Sequence, residues 1–329
     1  MFAPVPQTGS AGLWLQHGSP GQDKPGKLVT GLRRLTHAEE FLNAVPATQK
    51  HELELKRNAF DTRNDQVLVA EPCSLPGQTE CLELFLDYLP KRYPELFKLQ
   101  GAGAGRTVTV VLTGETHKVA DYAAKPLELC ARIAQEDLVL MRVADEPSTD
   151  PIGDQHVMTA AAVVFSFAGL QEKLGQPLRF IHQPVPGYER DMAKLLNRTF
   201  NAIDPKEPLW RNNWGLFDNG SLEPSYGTPE LLAKLEKPLA AHERWLKVEY
   251  ETLRRLPRSN NILFSIKTFV EPLSYLATIP GAAATLAVSL EGMSQNMRAY
   301  KGVAKPEQQV EMLAYLKTLS AQADAVAAR

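Results

Sequence analysis

The stretch Ile262–Phe269, with the sequence Ile-Leu-Phe-Ser-Ile-Lys-Thr-Phe, decides the fold class of this chain. Its first, third and fifth residues are apolar and share one face of an extended chain, while the serine and the lysine lie on the opposite face. This alternation predicts a β-strand. Other alternating or β-rich runs occur at Thr107–Leu112, Asp137–Val143, Val157–Phe167 and Leu209–Phe217. Together these runs predict an antiparallel sheet in the middle of the chain.

Helical patterns lie on either side of these strands. One spans Glu80–Lys91 and is expected to end at Pro90, and others are expected near Lys125–Gln135 and Gly187–Phe200. Strands and helices do not alternate strictly, as they would in a doubly wound parallel sheet. The predicted fold class is therefore α+β, with helical additions at both ends.

The two ends of the chain differ in composition. Residues 1–30 are rich in Gly, Pro, Gln and Ser and are predicted to form a loose arm. In the C-terminal third, apolar residues recur at helical spacing from Leu286 to Tyr300, Gly302 closes that predicted helix, and Pro306 opens another. We expect a sheet domain over residues 31–275 and C-terminal helices over 276–329 that pack on the same domain.

Composition excludes several classes of protein. The chain has 329 residues, 44% of them apolar and 22% charged, with a net charge of −2, so no basic surface for nucleic acid is expected. The longest apolar stretch, Thr159–Leu170, is too short to span a bilayer and contains Ser166. No secretory signal is visible at the N-terminus. The loop Gly101–Gly105 lacks the lysine of a phosphate-binding loop.

The cysteines are few and irregularly spaced. Cys73, Cys81 and Cys130 fit neither a disulfide framework nor a zinc site. We therefore expect a reducing compartment and a cytoplasmic protein that does not contact the membrane.

One histidine is placed as a metal ligand would be. Residues Arg179–Glu189 read Arg-Phe-Ile-His-Gln-Pro-Val-Pro-Gly-Tyr-Glu, so His182 follows a short apolar run and precedes two prolines and a glycine. These residues predict a rigid turn after a strand. The alternative is a structural or solvent-exposed histidine. Among the other histidines, His156 precedes a strand and is the main rival.

Several blocks in order resemble one known family. They are Glu83–Phe97, Gln135–Leu140, Glu172–Leu178, Arg179–Glu189, Arg211–Trp214, Val248–Ser259 and Ile262–Phe269. Their order and spacing resemble the haem-dependent oxidative N-demethylases, that is, the haem-binding subunit of dimethylamine monooxygenase and its relatives. The resemblance runs from about residue 55 to 275. It implies that the sheet is a PAS-like fold carrying haem.

The resemblance implies roles for several residues. His182 is the expected axial ligand, and the haem b is expected to be held non-covalently because no Cys-x-x-Cys-His motif is present. Arg211 is expected to pair with a haem propionate or polarise bound dioxygen, although it could instead be a surface arginine. Arg254, Arg255 and Arg258 are second-rank propionate partners, and a solvated basic surface is the alternative for them.

Glu249 is the predicted partner of the substrate. A protonated alkylamine that enters a dry pocket needs a carboxylate, which can also accept its proton. The alternative is a solvated strand face, because Lys247 and Glu251 share the parity of Glu249. Tyr250 and Glu251 stand where an Arg-Gln pair is usual in the family, and Phe165–Ala168 replaces a Pro-Ser-Gly-Trp-like turn. These departures leave open which amine is the substrate.

The preferred functional hypothesis is a haem-dependent monooxygenase subunit. It would demethylate a small methylated amine such as dimethylamine with O₂ and release formaldehyde. The chain lacks a dinucleotide-binding fingerprint and a ferredoxin-type cysteine set, so electrons would come from a separate flavin and iron–sulfur reductase. The alternatives are a haem-PAS sensor or gas-binding protein without turnover, and a relative that has lost haem and serves as an interaction module.

Overall fold

A seven-stranded antiparallel sheet forms the centre of the protein. The computed structural model describes residues 30–37, 40–145, 153–223 and 239–327. The strand order is β1-β8-β9-β10-β6-β7-β2, and each neighbouring pair is antiparallel. The strands are β1 (Arg33–Arg34), β2 (Leu68–Ala70), β6 (Asp137–Val143), β7 (His156–Ala162), β8 (Leu209–Phe217), β9 (Trp245–Arg255) and β10 (Ile262–Pro272). The predicted α+β class is confirmed, whereas most of the predicted N-terminal arm lies outside the described residues.

A small second sheet and a set of helices complete the described fold. The second sheet consists of β3 (Phe97–Gln100), β4 (Thr107–Val110) and β5 (Glu115–Lys118). The longer helices are α1 (Pro46–Thr62), α3 (Leu75–Arg92), α4 (Pro126–Ile133), α8 (Ala193–Ala202), α9 (Ala282–Glu291) and α11 (Pro306–Ala327). The shorter ones are α2 (Asn64–Val67), α5 (Leu170–Lys173), α6 (Leu178–Ile181), α7 (Tyr188–Asp191) and α10 (Gln295–Tyr300). Within the described residues, no helix combines the length and the apolar character needed to cross a bilayer.

The two faces of the large sheet are covered by different helices. We call the side that carries Trp210, Tyr250 and Lys267 the sealed face, because α1, α3 and α4 pack on it and the C-terminal helices pack on its other end. We call the side that carries Arg211, Glu249 and Phe264 the recess face. Among the described residues, the helices between residues 170 and 202 cover it over the strands β6, β7 and part of β10.

Buried charges on the sealed face are paired. Lys267 and Glu52 are both almost completely buried, and the Lys267 ammonium donates to both carboxylate oxygens at 2.7 and 2.9 Å. The pairing satisfies groups that would otherwise be costly to bury. The polar alternation that predicted the β10 strand therefore marks an internal ion pair rather than a solvent-facing side.

The hairpin between β9 and β10 is held by α3. Glu80 accepts the backbone N–H groups of Arg258 at 2.9 Å and Ser259 at 2.7 Å. Asn260 adopts a left-handed φ of 57°, which an asparagine tolerates better than most residues. The register of the two long strands is thus fixed at their turn by a helix that is distant in sequence.

Several boundaries differ from the sequence predictions: the helix predicted over Gly187–Phe200 is two helices, the strand predicted over Thr107–Leu112 ends at Val110, and three further differences have a visible cause. The helix α3 continues past Pro90 to Arg92, because Pro90 lies in the last turn and the N–H of Tyr93 still donates to the Leu89 carbonyl at 2.9 Å. The single helix predicted after Leu286 is two helices, α9 and α10. They separate where the Ser294 hydroxyl accepts the Met297 N–H and begins a new helix.

The third boundary is the end of β7. This strand stops at Ala162 rather than continuing to Phe167, because Asp137 binds the chain that follows. The Asp137 carboxylate accepts the backbone N–H groups of Val164, Phe165 and Ser166 at 2.7–2.9 Å, together with the Ser166 hydroxyl at 2.8 Å. A side chain for which the sequence indicated only a strand-end hydrogen bond therefore shapes a whole turn.

Candidate functional site

His182 is fixed in orientation and has one uncommitted ring nitrogen. It ends the one-turn helix α6, so the strand predicted before it is wrong, although the turn after it is present. Its Nδ1 lies 2.8 Å from the Leu178 carbonyl, and its ring stacks on Tyr188 with 4.6 Å between centroids and 6° between planes. A carbonyl only accepts, so Nδ1 carries the proton. Nε2 keeps its lone pair, and no described residue bonds to it.

The surroundings of His182 keep the imidazole neutral. Burial lowers its pKa to about 4, the hydrogen bond to the Leu178 carbonyl opposes this, and the charge of Arg211 adds a smaller lowering effect. The residue is nevertheless partly exposed to solvent. A neutral, oriented imidazole with an accessible Nε2 is the form that ligates iron.

Arg211 and Glu251 form an ion pair on the recess face. They lie opposite each other in the β8–β9 register, and the guanidinium donates through both Nε and Nη2 to the two carboxylate oxygens. The Nη1 group donates to the Thr30 carbonyl at 3.1 Å. A propionate or dioxygen role for Arg211 therefore requires that it exchange one of these partners.

Glu249 lies next to this pair and is enclosed by protein. It is opposite Asn213 on β8, whose amide NH₂ donates to its Oε2 at 2.8 Å. Burial, together with the charge of Glu251, raises the pKa of Glu249 to about 7. The side chain still has some contact with solvent. Its partial exposure and its raised pKa describe a largely desolvated carboxylate rather than a fully solvated one.

A lysine that the sequence did not single out completes this arrangement. Lys301, after α10, donates to the Asn213 side-chain oxygen at 2.7 Å and to the Trp214 carbonyl at 2.6 Å. It lies in none of the blocks that carry the family resemblance, and it is far from Glu249 in sequence. No local pattern marks it, because its place is set by the packing of the C-terminal segment on the sheet.

Arg211 connects the two halves of the site. It lies beside Glu249 in the register of β8 and β9, and its charge also acts on the pKa of His182. The segment of residues 170–202 thus carries His182 towards the strands β8 and β9, which present Arg211 and Glu249. We call this region the recess. A further group beside Glu249 is the Thr268 hydroxyl, which lies opposite it on β10 and is buried without a hydrogen-bond partner among the described residues.

The rival histidine has a different environment. His156 starts β7 and is 1% exposed, and its ring meets Phe200 edge-on at 5.2 Å between centroids. Neither ring nitrogen has a hydrogen-bond partner among the described residues. Burial and the charge of Arg255 lower its pKa to about 4. It is a neutral imidazole like His182, but no hydrogen bond selects its tautomer.

The three other arginines contact other parts of the protein. Arg255 donates to the carbonyls of Ile203, Phe200 and Asn260. Arg254 lies on the opposite face of β9, with its guanidinium 5.2 Å from the centre of the Phe41 ring. Arg258 is exposed and pairs with Glu83 and Glu80. The propionate roles predicted for these three residues remain predictions.

A comparison with known families identifies the family of the chain. A family described as haem-dependent oxidative N-demethylase, alpha subunit-like, matches residues 38–311. The match covers most of the chain, including both strands of the recess and Lys301. The chain belongs to this family. The family is haem-dependent and its name gives an oxidative N-demethylation, so the resemblance inferred from the sequence blocks is confirmed.

Proposed function

We propose that this protein is the haem-carrying subunit of a monooxygenase that removes a methyl group from a small methylated amine, with dimethylamine as the leading candidate. We also propose that its sheet is a PAS-like haem fold. The proposal rests on His182, which has a free Nε2, and on the largely desolvated carboxylate of Glu249, since the charge of Arg211 acts on both residues. One residue suits iron, and the other suits a cationic substrate.

The residues of the recess fit haem. His182 supplies a neutral imidazole whose tautomer and plane are fixed by Leu178 and Tyr188. Partly buried apolar side chains pack against the core cluster on the same face of the sheet, among them Leu32, Ile181, Val185, Leu209 and Phe264. A large, flat, apolar group needs such a lining. No cysteine lies in a haem-attachment motif, so we propose non-covalent haem b.

The chemistry divides between the cofactor and the chain. Haem, when bound, supplies the oxidation of a methyl C–H by O₂, two electrons and two protons to give a carbinolamine and water. The chain must hold the amine with its methyl group towards the cofactor. Glu249 supplies the counter-charge for the substrate ammonium, and the free Thr268 hydroxyl can accept a second N–H.

Glu249 is also suited to move a proton. An amine is oxidised as the neutral base, so the ammonium proton must leave within the recess. A carboxylate whose pKa lies about 7 binds that proton far better than an ordinary glutamate does. Collapse of the carbinolamine then breaks its C–N bond, forms the C=O bond of formaldehyde and moves the hydroxyl proton to the nitrogen of the shorter amine, and the same carboxylate is available to carry that proton.

Haem binding through His182 is the first test. The purified protein should show a Soret band, and a pyridine haemochromogen assay should report haem b. His182→Ala should lose haem or change the ferric spectrum strongly, whereas His156→Ala should leave the spectrum close to that of the wild type. The reverse pattern would assign the ligand to His156, and two unchanged spectra would remove both histidines from the iron.

Turnover is the second test. The chain alone with NADPH, O₂ and dimethylamine should be inert, because we propose that a separate flavin and iron–sulfur reductase delivers the electrons. Adding such a reductase, or a chemical reductant and O₂, should release formaldehyde. Haem without formaldehyde across a panel of methylated amines would favour a gas-binding or sensor role. Sustained NADPH oxidation by the chain alone would contradict the need for a reductase.

A further inference from the structure

The C-terminal segment reaches the edge of β8 through a close backbone contact. The N–H of Leu216 donates to the Lys301 carbonyl at 2.9 Å. The next residue, Gly302, has a φ of +94°, and a Cβ there would lie 2.1 Å from the Leu216 carbonyl oxygen. Only glycine permits this approach. The contact fixes Lys301 at the strand edge beside the recess.

Lys301 joins Glu249 through one amide. The ammonium donates to Asn213 Oδ1 at 2.7 Å, and Asn213 Nδ2 donates to Glu249 Oε2 at 2.8 Å. An ammonium has no acceptor, so it fixes which end of the amide faces it. The NH₂ end must then face Glu249. A donor presented in this way favours the ionised carboxylate over the protonated acid.

We propose that Lys301 is a positioning residue that acts through Asn213 to keep Glu249 ionised and aimed for capture of a cationic amine. The inference rests on the proposed function, because it names the residue that sets the charge of the proposed amine partner. It also assigns the C-terminal helices a part in the site, beyond their packing on the sheet.

Several charged groups face Glu249 and compete over its protonation. On β9, Glu251 disfavours the carboxylate, whereas Lys247, also buried, carries a favourable charge. On β8, Arg211 and Asn213 favour the carboxylate, and Lys301 adds its charge from the C-terminal segment. Burial lowers the pKa of Lys301 to about 8, against the attraction of Glu249. Ammonium and carboxylate therefore coexist near neutral pH, and removal of either charge shifts the titration of the other.

The expected effect is a shift in the pH dependence of amine binding. An alkylamine stays protonated below about pH 10, so affinity should rise with pH as Glu249 ionises and then reach a plateau. Loss of the Lys301 charge should move the midpoint to higher pH by about one unit. At pH 7 this corresponds to roughly fivefold less ionised Glu249. The plateau should not fall, because Lys301 also repels the cation that binds.

The experiment compares charge variants of Lys301 in the haem-loaded protein. Dimethylamine binding would be measured by calorimetry across the neutral range for wild type, Lys301→Met, Lys301→Gln and Lys301→Arg. Both neutral variants should shift the midpoint upwards, and the arginine should restore it. Lys305→Met is the matched control, because Lys305 is exposed and near in sequence. A midpoint that stays in place in both neutral variants would overturn the proposal, as would an equal shift in the control.

A second readout separates this inference from the proposed function. The protonated carboxyl band of Glu249 can be followed by infrared difference spectroscopy without any amine, with Glu249→Gln identifying the band. Its titration should move upwards in Lys301→Met. If the band moves while no amine binds or reacts, the positioning role holds and the demethylase proposal fails. If amines react through Glu249 and the band does not move, Lys301 has only a structural role.

Discussion

Similar charged residues have different roles on the two faces of the large sheet. On the sealed face, Glu52 and Lys267 are both buried, and each satisfies the other. On the recess face, Glu249 shares its surroundings with a second carboxylate, Glu251, and keeps some solvent contact. A complete ion pair has no charge available for a ligand, and it holds the fold because breaking it would leave a buried charge uncompensated. A carboxylate close to a second negative charge is destabilised in the free protein, and a cationic ligand that binds it offsets this cost.

The largest effect should follow from breaking the sealed pair. Glu52→Gln removes the carboxylate that binds the buried Lys267 ammonium and leaves only the charge of Glu136 to compensate it, so the free energy of unfolding should fall by up to about 3–5 kcal/mol. Urea denaturation followed by circular dichroism measures this change. The double variant Glu52→Leu with Lys267→Met should recover much of the loss, because it removes both charges. A single variant as stable as the wild type would show that the pair does not hold the sheet.

The same isosteric change on the recess face should act in the opposite direction on stability. Glu249 has a folded-state pKa about 7, above its usual value, so its ionisation costs stability as the pH rises from about 4.5 to 7. Glu249→Gln should therefore raise the free energy of unfolding at pH 8 by about 0.5–2 kcal/mol, with the gain shrinking at lower pH. Thermal unfolding at several pH values measures it, and a pH-independent gain would contradict the assigned cause.

The activity of Glu249→Gln should change in the opposite sense to its stability. Loss of the counter-charge for a buried ammonium should lower amine turnover by about a hundredfold or more, with haem content near normal. Steady-state formaldehyde release, normalised to haem, measures this loss. Wild-type turnover in a correctly loaded variant would leave the amine site unassigned.

The smallest effect should come from the exposed basic cluster. Arg258 is 64% exposed, and its partner Glu83 is 50% exposed. Arg258→Ala should change the free energy of unfolding by less than about 1 kcal/mol, because such pairs contribute little in water and the backbone contact to Glu80 remains. Haem content measured in parallel distinguishes a surface arginine from a propionate partner, since only the second would lose haem.

The fold could be predicted from the sequence where the local pattern of apolar residues matches the positions that are buried. The strands Asp137–Val143 and Leu209–Phe217 have the predicted bounds, since the first is a mostly apolar run and the second is rich in the aromatic and apolar residues typical of strands. The end of β7 could not be predicted from the sequence, because it is set by hydrogen bonds from residues 164–166 to Asp137. The helix at Leu178–Ile181 was also missed, since one turn of four residues leaves no period to detect.

The candidate site divides in the same way. His182 and Glu249 were found because their neighbours form recognisable blocks. The Arg211–Glu251 pair could have been anticipated only from the strand register, which the sequence does not give. Lys301 had no signal at all, because its role depends on an edge contact between segments that are distant in the chain.

The seam between β6 and β10 has a consequence for how the protein folds. Across it, Val139 pairs with Phe264, residues separated by 125 positions (264 − 139). The hairpins on either side of it involve shorter loops, so closing the seam carries the larger entropic cost. His182 follows the strands on one side, whereas Arg211 and Glu249 belong to the other. The sheet that carries both halves of the recess is complete only when this long-range pairing has formed, and a ligand that contacts both halves stabilises the folded protein against unfolding.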